Sequence, residues 1–586
     1  MLSFIKPTFL ARLMIIGALV CPPAGVSQAR RASPATAEQH FQRGIALLEK
    51  QQTARAIEEL RSAIRLKPRF AEAHNALGLA LARNGEVKLA SDSFREAAGL
   101  DPKLYKAHRN LGRSLQQLGD NDGAVAAFRQ SLSIKADDAD TRFMLGVALQ
   151  QKGMAASAIS EFREAARLEP RMAEAHFYLG YALAASGKLQ EAIPEFETTL
   201  KLKPDYSEAY YYLGTARWFS GDANGAAAAL KAAVKQMPNH ADSHYYLGLA
   251  LRKIGDAGAK AGELSPSAPD MAGPGNGTRQ ASQDGEELEG AVDALRATVR
   301  LKPNFIQAYN ELGLALVAMR DPEGAISAFN MAIRLDPNNM IAHHNLGMAL
   351  IQKGDYAAAV EQYRRLLALA PESSEAHYNL GLALKNKDLF DEAIVELQRA
   401  IALQPSLQEA HYTLGVILLQ QGKLGESAAA FKAALAVRPD YAEARYALGT
   451  VLQQQGDLTG AIAAFREALK TAPNAPEIHN TLGSALRQQG DTEGARVEFQ
   501  EAARLNKKKS DVQAAMFAIN TGVARLKEGQ LDAAIERFEA AVRLAPDDAR
   551  AHYNLARALL LKGRKEAAQA EYQKARRLDP RIKPLM

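Results

Sequence analysis

One cysteine, Cys21, and one tryptophan, Trp218, are all that 586 residues contain of either type. A single cysteine excludes an internal disulfide framework and every metal site built on paired thiolates. After the first twenty-odd residues no apolar run approaches the ~20 residues a membrane-crossing helix needs. Charge is never concentrated in one sign. The 72 Lys and Arg and 66 Asp and Glu alternate to a formal +6, and the one basic run, Lys507-Lys508-Lys509, is too short for a nucleic-acid stripe. Gly-rich phosphate loops, nucleophile elbows and metal-spaced His/Cys sets are also missing, so no catalytic residue and no cofactor is expected. The best local metal candidate is "HADSH", His240 to His244, with two His at i, i+4 around Asp242.

What is abundant is Ala, Leu, Gln, Glu and Arg, the composition of helix. The first 29 residues stand apart. Lys6 and Arg12 precede the apolar run Leu13 to Val20, two prolines follow, and small residues lead to Ala29. Charge, a short apolar segment and a small-residue exit describe a cleaved export signal. Export to a periplasm or the extracellular space is therefore expected, and Cys21 would be lost with the leader unless it were lipidated.

Proline marks a period. Pro68, Pro102, Pro170, Pro204 and Pro238 lie on a 34-residue grid with Ala136 filling one node, and Pro303 to Pro473 lie on a second grid that ends at Lys507. Each node has a Gly 24 residues upstream, from Gly44 and Gly78 onward, except that Ala556 stands in before Pro580 and the spacing before Pro303 is stretched. Fifteen repeats fit between Ala37 and Ile582. Within a repeat, His377, Leu380, Gly381 and Leu384 share one helical face, and Ala393, Ile394, Leu397, Ala400 and Ile401 share another. A turn at Lys387-Asp388 separates them, where most repeats place Gly. Proline ends the second helix, because its ring cannot continue it. Two antiparallel helices per repeat cannot bury both faces alone, so the repeats must stack into an all-α solenoid.

The Gly at position eight, the Ala twelve later (Ala56, Ala90, Ala124, Ala393), the Ala seven after that (Ala63, Ala400) and the closing Pro resemble the tetratricopeptide repeat. The resemblance covers nearly all of the chain after the leader and implies a right-handed superhelix of helix pairs. It also resembles the non-catalytic repeat region of protein O-linked N-acetylglucosamine transferases, without a catalytic region. Ten of the twelve histidines sit four residues before the Gly or its stand-in. Tyr210, Tyr309, Arg142 and Arg445 alternate with them there, so the position is expected to pack in the seam between helices rather than bind metal.

Two breaks interrupt the period. Residues 256–286, rich in Gly, Pro, Ser and Ala, split repeat 7 and read as a surface loop between the array segments 37–255 and 287–509. They include the glycosylation pattern Asn276-Gly277-Thr278. Five extra residues follow Lys509, and Ser510 with Gln513 forms a capping-box pattern, so a longer first helix is expected to begin at Ser510 and open a segment 510–582. The last second helix, Lys565 to Leu578, is polar as a terminal cap should be.

For function, the resemblance implies a protein-interaction scaffold whose partner is a peptide segment held on the concave face. That face is lined by the first helices at three residues before the Gly and one, four and five after it, and an Asn two before the Gly can bind a peptide backbone. The residues expected to line it are Phe177, Tyr181, Tyr211, Trp218, Phe219, Tyr245, Arg252, Asn345, Tyr378, Asn379, Tyr412 and Tyr446. Trp218, four after Gly214, reads either as the anchor of a groove or as a filler between repeats. Arg252 suits a carboxylate. The other functional reading is a recognition subunit for an enzyme, such as a glycosyltransferase, whose catalytic part is another chain.

Overall fold

A computed structural model describes residues 35–262 and 280–580, together with 582, 584 and 585. The leader, Asn276-Gly277-Thr278 and most of the Gly/Pro/Ser-rich break lie outside the described residues. Among them the chain forms helices and turns only, with 29 helices. They fall into two compact bodies that divide between Lys203 and Pro204. The first body holds repeats 1–5 and the second repeats 6–15. In each, the two helices of a repeat lie antiparallel against one another and the second helix packs on the first helix of the following repeat.

The Gly of each repeat is the crossing point of its pair. A Cβ built on Gly78 would stand 2.6 Å from Cε1 of Phe94, and one on Gly381 would stand 2.8 Å from Cγ of Leu397. Sixteen residues after the Gly comes a large side chain that fills this space. Phe94, Phe128, Phe162, Phe196, Phe329, Phe431, Phe465 and Phe538 are all buried there. The Ala twelve after the Gly is wholly buried as well, at Ala56, Ala90, Ala124 and Ala393. A small residue on one helix thus receives an aromatic ring from the other, and the pair closes at native density. Ser427 takes the Ala place once, and its hydroxyl donates to the Gly415 carbonyl at 2.7 Å.

The turn between the helices passes through the left-handed region. Gly85, Gly119, Gly153 and Gly221 adopt φ between 82° and 90° or, for Gly153, 74°. Gln51, Arg320 and Asp388 take the same place with φ 59° and carry a side chain into a conformation that glycine adopts freely. Asp at the following position then caps the second helix in several repeats. Asp120, Asp222, Asp457 and Asp491 each accept from the backbone N–H of the Gly three residues on.

Both breaks differ from expectation. In repeat 7 the first helix runs on through Ala241–Gly262 and the second begins at Gln280 (Gln280–Leu301), so helix overruns both ends of the segment read as loop. In repeat 13 the expected start at Ser510 does not occur. One helix, Thr492–Lys527, contains the second helix of repeat 13 and the first of repeat 14 without interruption. The reason is local: Lys507 stands where proline ends the other second helices, and Asn506-Lys507-Lys508-Lys509 contains no helix breaker. Fifteen pairs therefore give 29 helices and not thirty.

Candidate functional site

The histidine position shows how the seam is fastened. Nε2 of His377 lies 3.0 Å from the Pro371 carbonyl six residues earlier, and Nδ1 lies 2.6 Å from Oε2 of Glu396 on the second helix. The same two contacts recur at His176 (Pro170, Glu195), His479 (Pro473, Glu498) and His552 (Pro546, Glu571). Proline supplies a carbonyl that no helix uses, and the imidazole ties it to the opposite helix. Each ring nitrogen faces an oxygen, so the side chain clamps the proline carbonyl to the second helix. Arg142 confirms the role: its guanidinium donates to the Ala136 carbonyl at 3.0 Å and to Glu161 at 2.9 Å. For His176 the Glu195 hydrogen bond holds the imidazole pKa above its ordinary value, against the opposing effect of burial. The expectation of a seam position is met, and the glutamate partner, nineteen residues on, is what the sequence reading missed.

The three residues of the "HADSH" stretch are each engaged separately. His240 Nδ1 is 2.7 Å from the Ser243 hydroxyl, His244 Nε2 is 2.9 Å from the Pro238 carbonyl, and Asp242 pairs with Lys302 at 2.7 Å.

In the first body, Phe177 belongs to the interior. It is 8% exposed and packs on Tyr178 and on Phe196 of the second helix, with centroids 5.5 and 6.0 Å apart. Its place three before the Gly faces the ring that fills the crossing, so it is a core position. Tyr181, one after the Gly, is half-buried.

In the second body the first helices of repeats 6 and 7 (Ser207–Phe219 and Ala241–Gly262) gather an aromatic cluster. Tyr211 stands edge-on to His240 at 4.8 Å and 6.4 Å from buried Tyr246, which in turn touches Phe219 at 5.8 Å. Tyr245 packs on Phe305 at 4.7 Å. Burial, then the nearby Glu311 carboxylate, pushes the Tyr245 phenol up to about 12, and burial likewise raises that of Tyr211. Both phenols are therefore neutral hydrogen-bonding groups at any working pH. Phe219 is 58% exposed. Trp218 is half-buried on the same cluster, and Lys253 holds its ammonium 5.3 Å from the indole centroid. Arg252 is already committed: Glu311 of the next repeat accepts from it at 2.9 Å and Asp256 at 2.8 Å. It braces repeats 7 and 8, and the cation that borders the cluster is Lys253, five after Gly248. That position was within the expected lining and could have been read from the sequence.

Along repeats 8–11 the residues after the Gly form an apolar row, Leu314, Met348, Leu382 and Val416, of which Met348 is 46% exposed. Asn345 and Tyr378 flank the row, half-buried. Asn379 is 5% exposed and unavailable to a ligand without rearrangement. Tyr412 packs between Phe431 and Tyr441 at 5.7 and 5.2 Å, and Tyr446 places its hydroxyl 3.1 Å from that of Thr481 on the next first helix. Amide pairs 35 residues apart run the same way: Asn75 with Asn110 at 3.0 Å, Gln116 with Gln151 at 3.1 Å and Gln453 with Gln488 at 3.0 Å. Successive first helices thus present amides and phenols in register, a surface suited to the backbone groups and side chains of a peptide.

A family model described as "Tetratricopeptide repeat" matches residues 41–105, 88–141, 109–162, 143–207, 211–264, 281–339, 344–407, 412–476, 446–512 and 519–581. No curated protein matches the chain. Among solved structures, MamA is 29% identical over 28% of this chain and 95% of its own, with TM-score 0.27. YrrB, described as a TPR protein with an unusual peptide-binding site, is 23% identical over 31% of this chain and 95% of its own, with TM-score 0.30. Yeast Tom70 is 17% identical over 79% of this chain and 96% of its own, with TM-score 0.29. Scores at this level carry no argument about shape, and the assignment rests on the repeat itself.

Proposed function

The chain belongs to the tetratricopeptide repeat family, whose members are in general non-catalytic scaffolds that bind other proteins or peptides, and from that membership we propose that it is an exported scaffold holding a peptide segment of another exported protein on the open face of its first helices. The observation that carries the reading is the cluster in repeats 6 and 7. Phe219 is exposed, Trp218 is half-buried beneath a lysine ammonium, and neutral Tyr211 and Tyr245 stand alongside. Exposed apolar surface bordered by a cation is characteristic of interaction sites, and aromatic anchors dominate their energetics. Lys253 suits an acidic side chain or a chain-terminal carboxylate beside an apolar anchor. The leader-like residues 1–29 support export, and the absence of enzyme fingerprints supports a role in recognition alone.

The test is retention of a partner from the exported fraction by immobilised wild-type chain and by Trp218→Ala. Loss of an aromatic anchor is expected to weaken capture by ~2 kcal/mol, about thirtyfold, with helicity and melting nearly unchanged. A variant that melts lower and still captures the same partner would place Trp218 in the core and move the groove elsewhere.

A further inference from the structure

In the first body one cation is left unanswered by its surroundings. Arg113 stands one after Gly112 on the first helix of repeat 3, Tyr105–Gln117, and is half-buried. Among the described residues it makes no hydrogen bond and no ion pair. Half-buried arginines on other first helices are committed. Arg83 donates to the Leu48 carbonyl at 2.9 Å, Arg142 to Glu161 at 2.9 Å and Arg252 to Glu311 at 2.9 Å. The carboxylates of Asp138 and Asp140 lie 3.3 and 4.0 Å from Arg109, one turn away, and neither bonds Arg113. Burial, then the like charge of Arg109, lowers the Arg113 pKa against the opposing effect of Asp140. A guanidinium stays charged at any working pH, so this cation is held partly out of water without a partner.

The surface around it suits a chain passing by. Three residues before Arg113, Asn110 donates to Asn75 of repeat 2, and three residues after it, Gln116 donates to Gln151 of repeat 4. Each pair spends one donor and one acceptor. Asn75 and Gln151 keep their N–H groups and Gln116 keeps its carbonyl, which is the complement a peptide backbone needs. Leu79 and Val147 hold the place of Arg113 in repeats 2 and 4, and both are half-buried. The guanidinium thus lies in an apolar row, where a paired charge is screened less than in water. Asn110 and Gln116 are about 9 Å apart along the helix axis, a distance an extended chain crosses in about three residues.

We propose that Arg113 is a specificity site for an aspartate or glutamate side chain in an extended peptide laid on the first helices of repeats 2–4. The proposal rests on the reading of the first helices as the peptide-holding face, and it adds a site in the first body to the aromatic cluster of the second. The carboxylate accepts two parallel N–H bonds from the guanidinium. The residues on either side of the acid set their backbone groups against the two amide pairs. A chain-terminal carboxylate would leave one pair without backbone to bind, so the acid is internal.

The test uses the full chain and heptapeptide pools, acetylated and amidated, with Glu, Asp or Gln fixed at the central position. Wild type should retain the Glu and Asp pools about fivefold better than the Gln pool, and about 0.5 M salt should reduce the difference. Arg113→Gln should abolish the preference and Arg113→Lys should keep part of it. Trp218→Ala combined with Lys253→Gln should leave the preference in place. Arg113→Gln should also melt no lower than wild type, because it removes an uncompensated charge, whereas Arg109→Gln should melt lower, because it strands buried Asp138. Equal retention of the pools, retention of none, or a preference that Arg113→Gln leaves intact overturns the proposal. So does a Gln pool with a free C-terminus retained better than the amidated Glu pool, or a lower melting point for Arg113→Gln. Acid preference lost with Trp218→Ala and Lys253→Gln but kept in Arg113→Gln would leave the reading of repeats 6 and 7 standing and sink this one alone.

Discussion

Adding a single methyl group to Gly78 tests how the helix pairs are closed. The Cβ would lie 2.6, 2.7 and 2.9 Å from three atoms of the Phe94 ring, where ordinary contact begins near 3.4 Å. The ring is 2% exposed and has no free volume to enter, so the two helices must separate by most of an ångström. Overpacking costs about 1–3 kcal/mol, and a 2.6 Å approach to a buried ring belongs in the upper half, about 2–3 kcal/mol, offset by the ~1 kcal/mol that alanine gains over glycine within a helix. The net loss is about 1–2 kcal/mol, concentrated in repeat 2, because a linear array transmits strain mainly to its neighbours. Hydrogen exchange resolves this locally: protection in Ala71–Arg83 and Val87–Leu100 should fall by a factor of about 5–30. Gly99→Ala supplies the contrast, because its Cβ meets nothing within 4 Å and the change should be neutral or slightly stabilising. If Gly78→Ala and Gly99→Ala behave alike, the crossing is looser than described and the reasoning fails.

Three other outcomes are expected. Arg320→Gly and Asp388→Gly relieve left-handed strain at φ 59° and should each stabilise their hairpins by up to ~1 kcal/mol, whereas Gly85→Ala, at φ 83°, should destabilise; local exchange rates decide the sign. The imidazole of His176 titrates above its ordinary value in the fold. Its contribution is therefore complete below the unfolded-state pKa, near 6.5, and disappears as pH rises through the folded one. Opening of Ala173–Ala185 from Leu189–Leu202, corrected for intrinsic exchange, should become easier from pH 6 to 8, and His176→Gln should abolish that slope. Mass spectrometry of the protein from its native host should find a chain that begins near Arg30, and an intact Met1 would refute export.

Much of the architecture is legible in the residues. The 34-residue grid, the Gly eight residues into each repeat, the buried Ala and the closing Pro together specify antiparallel pairs, because each encodes a local steric requirement. What escaped were features that depend on pairing across the repeat. Glu396 looks like a solvated acid until the fold brings it to His377, and Lys253 looks like a surface lysine until Trp218 lies beneath it. Arg252 was read as free because its partner Glu311 is 59 residues away. Phe177 was read as lining because the position three before the Gly faces the crossing ring in some repeats and a neighbouring first helix in others. The start expected at Ser510 failed for a different reason: a capping pattern acts only where the chain is already free to leave the helix, and no breaker frees it there.

The central claim, that a partner segment lies along the first-helix face, is tested most directly by photo-crosslinking in the native host. A benzophenone amino acid would replace Phe219 or Tyr378 on that face, and Val395, 62% exposed on a second helix, as the control. Adducts of one defined mass at Phe219 and Tyr378, absent from Val395, with the Phe219 adduct weakened by Trp218→Ala, are the expected result. Adducts at Val395 with none at Phe219 or Tyr378 would contradict it.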